Sequence, residues 1–549
     1  MDRRTAVAVL LSLLLFWSWT SARQAQEVAE QHVLAQAALA EAAKPAVQPT
    51  ASAPHPLVAT PNYAEQKLAL AGCSTDGVVS TVGPAVRGLH HSKYPAPFNV
   101  QPVWSWLFGL VSGNVVPFEP YGAEPGPVEL LSDNAFGLTT GVGPYEPMGF
   151  GTADAPAGGV ALSGLSATGV RVDWKLAPVA GDICLFTLTT RFTNEGATPF
   201  AGPVWVGVHD EVKAAAGALS GYVPVRRPVG HVDGDVVLGD GASVVEEAVE
   251  HEGVVRWFGL ADTYFGTLLL PQAEGLVGAL HFDAMAGETP LAGARWVAPV
   301  NLAPGASAET SFQVYAGPLE TSTLEAVDAS LPELVQFGWF AVFAYPLKLA
   351  LVWLHAAVGN WGIAIALLTF GMKLVLYPLT QSAFKSGQAM AALQPRLAAL
   401  KETYKDDPNQ INTKTMELFK ESGVSPMGGC LPMLIQMPIW IALYNVLRNV
   451  VELYHTDFLY LRDLSSLDPF GVLPTLVVAL MWFQQQLTPM TNMDPAQQQV
   501  MKYMPLIVGI FFYGLPSGLM VYIFVNTALS ILQQWYIKRQ FQAPVPVAT

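Results

Sequence analysis

Lys373 sits in "LLTFGMKLVLYPLT" (367–380), an otherwise apolar run. A charge at the centre of a bilayer costs between about 2.5 kcal/mol and about 10 kcal/mol or more. If the run is a helix, Thr369 and Tyr377 fall four residues to either side, so the three form a polar stripe on one face. Two readings follow. The lysine snorkels to the inner headgroups, or it lies in a water-filled cavity that uses its charge. Other apolar runs carry matching polar groups: Gln436 in "LPMLIQMPIW", Gln484 to Gln486, and Tyr522 with Asn526 four residues on. Elsewhere, His209-Asp210-Glu211 and His281-Phe282-Asp283 have the residue types of acid/base catalysis, although such clusters are common in loops. The second half has only two histidines, His355 and His455, and no GxSxG, HExxH or Walker loop.

The elements that must position these residues divide the 549-residue chain in two. The composition is 51% hydrophobic and 13% charged, against about 25% charged in soluble domains. Residues 1–336 hold 15 basic and 33 acidic side chains, a net of −18, and the remainder holds 13 and 10. An acidic soluble part therefore precedes a mildly basic membrane part, and neither has the basic face of a nucleic-acid binder. Cys73, Cys184 and Cys430 fit no zinc spacing, which leaves a Cys73–Cys184 disulfide open. No metal or cofactor is expected.

The N-terminus, "MDRRTAVAVLLSLLLFWSWTSA" (1–22), reads either as a cleaved signal peptide or as an uncleaved anchor. Trp17 and Trp19 near the cleavage site favour the anchor, and both readings send residue 23 onward across the membrane. "LAGC" (70–73) mimics a lipoprotein box, but no apolar signal region precedes it. Residues 23–62 are an Ala-, Gln- and Pro-rich linker. Residues 63–332 alternate in short runs, as in "GVRVDWKL", "DICLFTLTTRFTN", "GPVWVGVHD", "ASVVEEAVE" and "TSFQVYAGP". That pattern predicts a large antiparallel sandwich.

Residues 333–360, crowded with aromatics and interrupted by Pro346, Lys348 and His355, predict an interfacial helix, with a spanning helix as the competing reading. Spans are predicted at 361–380, 428–449, 470–487, 504–516 and 517–535, giving about six with the anchor. The loop 381–427 carries Lys385, Arg396, Lys401, Lys405, Lys414 and Lys420, whereas 450–469 carries Arg462 against four acids. The positive-inside rule puts 381–427, the loop 488–503, the tail 536–549 and the N-terminus in the cytoplasm, and the β domain outside. Within 381–427, "FKSGQAMAALQPRLAALKETYKDD" and "QINTKTMELFKESGV" predict a helical hairpin. Its alternating charges read as a solvated face or as a docking element, with Lys385, Arg396, Lys401 and Lys405 as the contacts.

The ordered blocks "YPLT", "GGCLPMLIQMP", "DPAQQQVMKYMP" and "PSGLMVYIFVN" resemble the YidC/Oxa/Alb membrane-protein insertase family, over about 337–549 and in the layout of the whole chain. The resemblance implies a five-helix insertase core, a periplasmic β-supersandwich and an inner-membrane location. It also implies an inner-leaflet groove for nascent membrane proteins, lined by Lys373, where the family normally has arginine, with Thr369, Gln436 and Tyr522. The implied partners are the Sec translocon, the translating ribosome and the bilayer. Two departures stand out. Ile523 replaces one tyrosine of the family's last-span pair, and the tail has only Lys538 and Arg539, so ribosome contact falls to the hairpin.

The competing readings are a membrane-tethered periplasmic sugar-binding or sugar-acting protein, using the two His/Asp clusters, and a small-solute transporter. The helical half shows no internal repeat of the kind transporters carry.

Overall fold

A computed structural model describes residues 66–540, apart from 71–74, 81–84, 96–126, 132–136, 144–149, 153–158, 180–183, 212–225, 240–243, 245–247, 274–276, 286–290, 405–406, 423–430 and 488–494. The anchor expected at 1–22, the linker at 23–62 and the tail beyond 540 lie outside the described residues.

Alternation builds the β half. In Val170–Pro178 and Leu185–Asn194 every second side chain is buried, so each strand has a core face and a solvent face. One antiparallel sheet runs Gln66–Leu70, Thr75–Ser80, Ala85–Pro95, Gly137–Val142, Phe200–Glu211, Leu291–Leu302, Val277–Met285 and the first half of Val249–Ala261. The second runs Phe150–Thr152, Val160–Leu165, Val170–Pro178, Leu185–Asn194, Ser307–Pro318, Phe265–Pro271, the second half of Val249–Ala261, Arg227–Val232 and Asp235–Leu238. The strand Val249–Ala261 thus belongs to both layers. Between them lies one core containing Trp174, Phe192, Phe258, Phe282 and Phe312, with Trp296 of one sheet edge-on to Phe312 of the other at 5.8 Å. Of "ASVVEEAVE" (242–250), Val249 and Glu250 open a strand and Val244 is buried in the core, while 242–243 and 245–247 lie outside the described residues. Cys184 is disulfide-bonded, and both other cysteines, Cys73 and Cys430, lie outside the described residues.

The helices are α1 (Thr321–Val327), α2 (Ala341–Val358), α3 (Trp361–Val375), α4 (Tyr377–Ala392), α5 (Gln394–Thr403), α6 (Pro408–Glu421), α7 (Leu431–Asn449), α8 (Val472–Leu487), α9 (Pro495–Phe512) and α10 (Ser517–Gln540). Gly359, at φ 69°, ends α2 in the left-handed conformation that favours glycine. Asn360 then caps α3 by accepting from the Ile363 amide at 3.0 Å. The first hairpin segment is not one helix. Pro395 lacks an amide proton and crowds the carbonyl four residues back, so α4 ends at Ala392 and α5 restarts at Gln394. Likewise α9 begins with Pro495 in its first turn, inside the stretch assigned to a loop at 488–503. Gly338–Val358 (21 residues, mean hydropathy 1.6) is the one helix among the described residues long and apolar enough to cross a membrane. Trp361–Val375 and Val500–Phe512 are shorter apolar helices.

Ser386–Pro426 and Trp482–Val508 form one compact unit. In it α5 and α6 pair through Leu397 and Phe419, and Asp407 caps α6 by accepting from the Asn409 and Gln410 amides. The other unit holds the β half, α1 to α3, the start of α4, α7, the start of α8, the end of α9 and all of α10.

In the larger unit the chain leaving the sandwich is fastened at several points. Trp257 Nε1 donates to Ser330 Oγ at 3.0 Å, Asn445 to the Phe337 carbonyl at 3.0 Å and Asn449 to the Gln336 carbonyl at 3.3 Å. Lys348, buried midway along α2, donates to Thr321 Oγ1 at 2.5 Å and pairs with Glu452 at 3.3 Å. The loop after α7 inserts Val451 and Tyr454 into the sandwich core, with Tyr454 against Tyr264 (5.3 Å) and Phe265 (5.2 Å). Two acids of that loop are structural. Asp463 accepts from the His455 and Ser465 amides and the Ser465 hydroxyl, and burial pushes its carboxyl up. Asp468 accepts from the Leu473 amide at 2.8 Å, in the first turn of α8.

Candidate functional site

The site grows from two helices that pack together, α3 and α10. Thr369 is buried on α3, its hydroxyl returned to the Ile365 carbonyl at 2.7 Å, so it presents methyl and oxygen without an unpaired donor. One turn on, half-buried Lys373 donates from Nζ to Ser530 Oγ of α10 at 2.7 Å. Ser530 in turn donates to the Asn526 carbonyl at 2.7 Å. On α10, Tyr522, Asn526 and Ser530 recur every four residues, a polar stripe on a helix that is otherwise largely apolar. Tyr522 is buried.

Not every expected member joins this group. Tyr377 is not on α3, because the helix ends at Val375 and Tyr377 opens α4. Gln436 lies half-buried on α7, two residues before Pro438, and no hydrogen bond among the described residues links it to Lys373, Thr369 or Tyr522. Gln485 donates to the Met501 carbonyl of α9 at 2.5 Å. Among the docking residues, Arg396 is exposed on α5. Lys385 and Lys401 lie on α4 and α5 with side chains outside the described set, and Lys405 is outside it altogether. Ser530 was missed by the sequence reading. The signal that marks it is the spacing from Tyr522 and Asn526.

The sandwich brings one member of each His/Asp cluster together, His209 and Asp283, while His281 lies 3.7 Å from Glu250. His209 Nε2 lies 3.3 Å from Asp283, and Arg295 donates twice to the other oxygen of that carboxylate, at 2.8 and 2.6 Å. Arg226 pairs with Asp210. Gly293 faces His209 across the strands, and a Cβ there would meet the imidazole at 2.1 Å, so only glycine admits the ring. His209 is fully buried, and Arg295 and Arg226 already hold the two carboxylates. An acid or base must reach a substrate's proton, and the buried His209 and the two arginine-held carboxylates serve instead as internal pairs.

A family described as the 60Kd inner membrane protein matches residues 353–544. A second, described as the YidC periplasmic domain, matches residues 150–350. The membrane protein insertase YidC of Geobacter sp. (strain M21) is 36% identical over 368 residues, 66% of this chain and 67% of that protein. The chain belongs to the YidC family. The YidC insertase of Methylobacillus flagellatus is 42% identical over 285 residues, 52% of this chain and 51% of that protein. Such alignments span from half to two thirds of the relatives' length. A solved YidC insertase structure with its first transmembrane domain resolved aligns over 87% of this chain and 93% of that one, at 19% identity and a TM-score of 0.37. The YidC family is one of inner-membrane proteins with a periplasmic domain, here the β half.

Proposed function

We propose that this chain inserts and folds integral membrane proteins in the inner membrane, receiving them in a groove between α3 and α10. The observation that carries the reading is the half-buried ammonium of Lys373. It is held between two apolar helices by a neutral hydroxyl and has no ion-pair partner among the described residues. An unneutralised charge at such depth is costly unless water or a transient ligand meets it. An acidic or polar segment of a nascent client supplies that ligand, and its apolar part then partitions into lipid. No nucleotide enters this scheme.

The topology we favour has about six spans, both ends cytoplasmic and the β domain in the periplasm. In it α2 lies in the outer interface. Trp339, Val342, Leu349 and Trp353 are exposed along one flank, while Lys348 is buried on the other, as expected of an interfacial helix. Thr369, Gln436 and Tyr522 line the groove with Lys373. The hairpin α5–α6, on which Arg396 is exposed, is the docking element for a translating ribosome or the Sec translocon.

The test is complementation of an insertase-depleted strain with Lys373→Ala and Lys373→Arg. A hydrogen bond to a charged group contributes about 1.5–3 kcal/mol, and each 1.4 kcal/mol is about tenfold. The alanine variant is therefore expected to insert a short client with an acidic N-terminal segment at least about tenfold less well, and arginine to keep most of the activity. Equal insertion by the alanine variant, at equal protein levels, would reduce Lys373 to a snorkelling anchor.

A further inference from the structure

We propose that Ser530 is a positioning residue that sets the groove's preference for acidic clients, by holding the Lys373 ammonium inside the groove. The inference rests on the groove reading above. A lysine side chain has four rotatable carbon–carbon bonds, and left alone it would extend toward the inner headgroups. Lys373 is two residues from the C-terminal end of α3, so those headgroups are within reach. The structure shows it turned instead across the helix pair, onto α10.

Ser530 is suited to this because its own proton is committed. Its hydroxyl donates to the Asn526 carbonyl, so its lone pairs are left to receive Lys373. A carboxylate here would neutralise the ammonium, and an apolar side chain would release it. A hydroxyl fixes its position and leaves its charge intact. The ammonium has three N–H groups, and Ser530 uses one of them, which leaves two for water or for a carboxylate of a client. The two helices pack along this line, so Ser530 also fixes the direction in which those two donors point.

The test compares Ser530→Ala, Ser530→Thr and Lys373→Ala in proteoliposomes, each with two short clients that differ only in whether the N-terminal segment is acidic or neutral. Ser530→Ala is expected to insert the acidic client about tenfold less well, the loss of one charge-assisted hydrogen bond, and the neutral client as well as wild type does. Ser530→Thr, which keeps the hydroxyl, is expected to restore the acidic client. Equal loss for both clients, or threonine failing as alanine does, would overturn the role, since either marks a packing defect. If Lys373→Ala impairs the acidic client while Ser530→Ala does not, Ser530 is overturned and the groove stands. If Lys373→Ala impairs neither client, both are overturned.

Discussion

Glu452→Ala is expected to destabilise the detergent-solubilised protein by about 3–5 kcal/mol, the usual cost of removing one partner of a buried ion pair. The reason is what stays behind. Lys348 is only 9% exposed, and its remaining bond goes to the neutral Thr321 hydroxyl. Without Glu452 the ammonium is buried with no opposite charge beside it. The contact joins three elements, α1 through Thr321, α2 through Lys348 and the loop after α7 through Glu452, so its loss loosens the junction between sandwich and helices. Lys348→Met in the same chain is expected to recover most of the loss, since replacing both members of such a pair by apolar groups is often neutral. Thermal melts of the two single variants and the double variant measure this as a coupling energy. A double variant no more stable than Glu452→Ala would show that the pair is not what holds the junction.

Trp257→Ala is expected to cost about 3–5 kcal/mol, the range for emptying a fully buried large aromatic. Trp257 is completely buried, and its indole Nε1 is bonded to Ser330, which itself donates to Asp328 at 2.6 Å. The substitution opens a cavity in the second sheet and also unfastens the segment that leads from the sandwich toward α2. Trp257→Phe separates the two effects. It keeps most of the volume and loses only the hydrogen bond, so about 1–2 kcal/mol is expected. Circular dichroism melts give both values. Equal losses for the two variants would mean that the bond, and not the buried volume, dominates.

The sandwich was legible because its strands obey a two-residue period. Val170–Pro178 and Leu185–Asn194 can be read from their alternation alone. What was illegible needed partners far away in sequence. Lys348 appears in the sequence only as an interruption of an apolar run, and nothing local couples it to Glu452. Lys373 announces itself as a charge among leucines, but its partner Ser530 lies 157 residues downstream. His209 and Asp283 are 74 residues apart, and the sequence offered each as part of a separate acid/base cluster. Only the pairing of their strands through Gly293 shows them locked together with Arg295. Tyr377 was misplaced for a local reason: a continuous apolar run hid the helix break between Val375 and Tyr377.

Val451 and Tyr454 complete the sandwich core although they belong to the loop after α7. Translation runs from the N-terminus, so every strand leaves the ribosome before these two residues exist. Until then Tyr264 and Phe265 present an open apolar socket. The socket closes only when α2, α3 and α7 have been made and the loop after α7 reaches the sandwich. The β domain's last step of maturation therefore depends on those helices being correctly placed, and a chain whose helices go astray leaves that socket bare to proteases and chaperones.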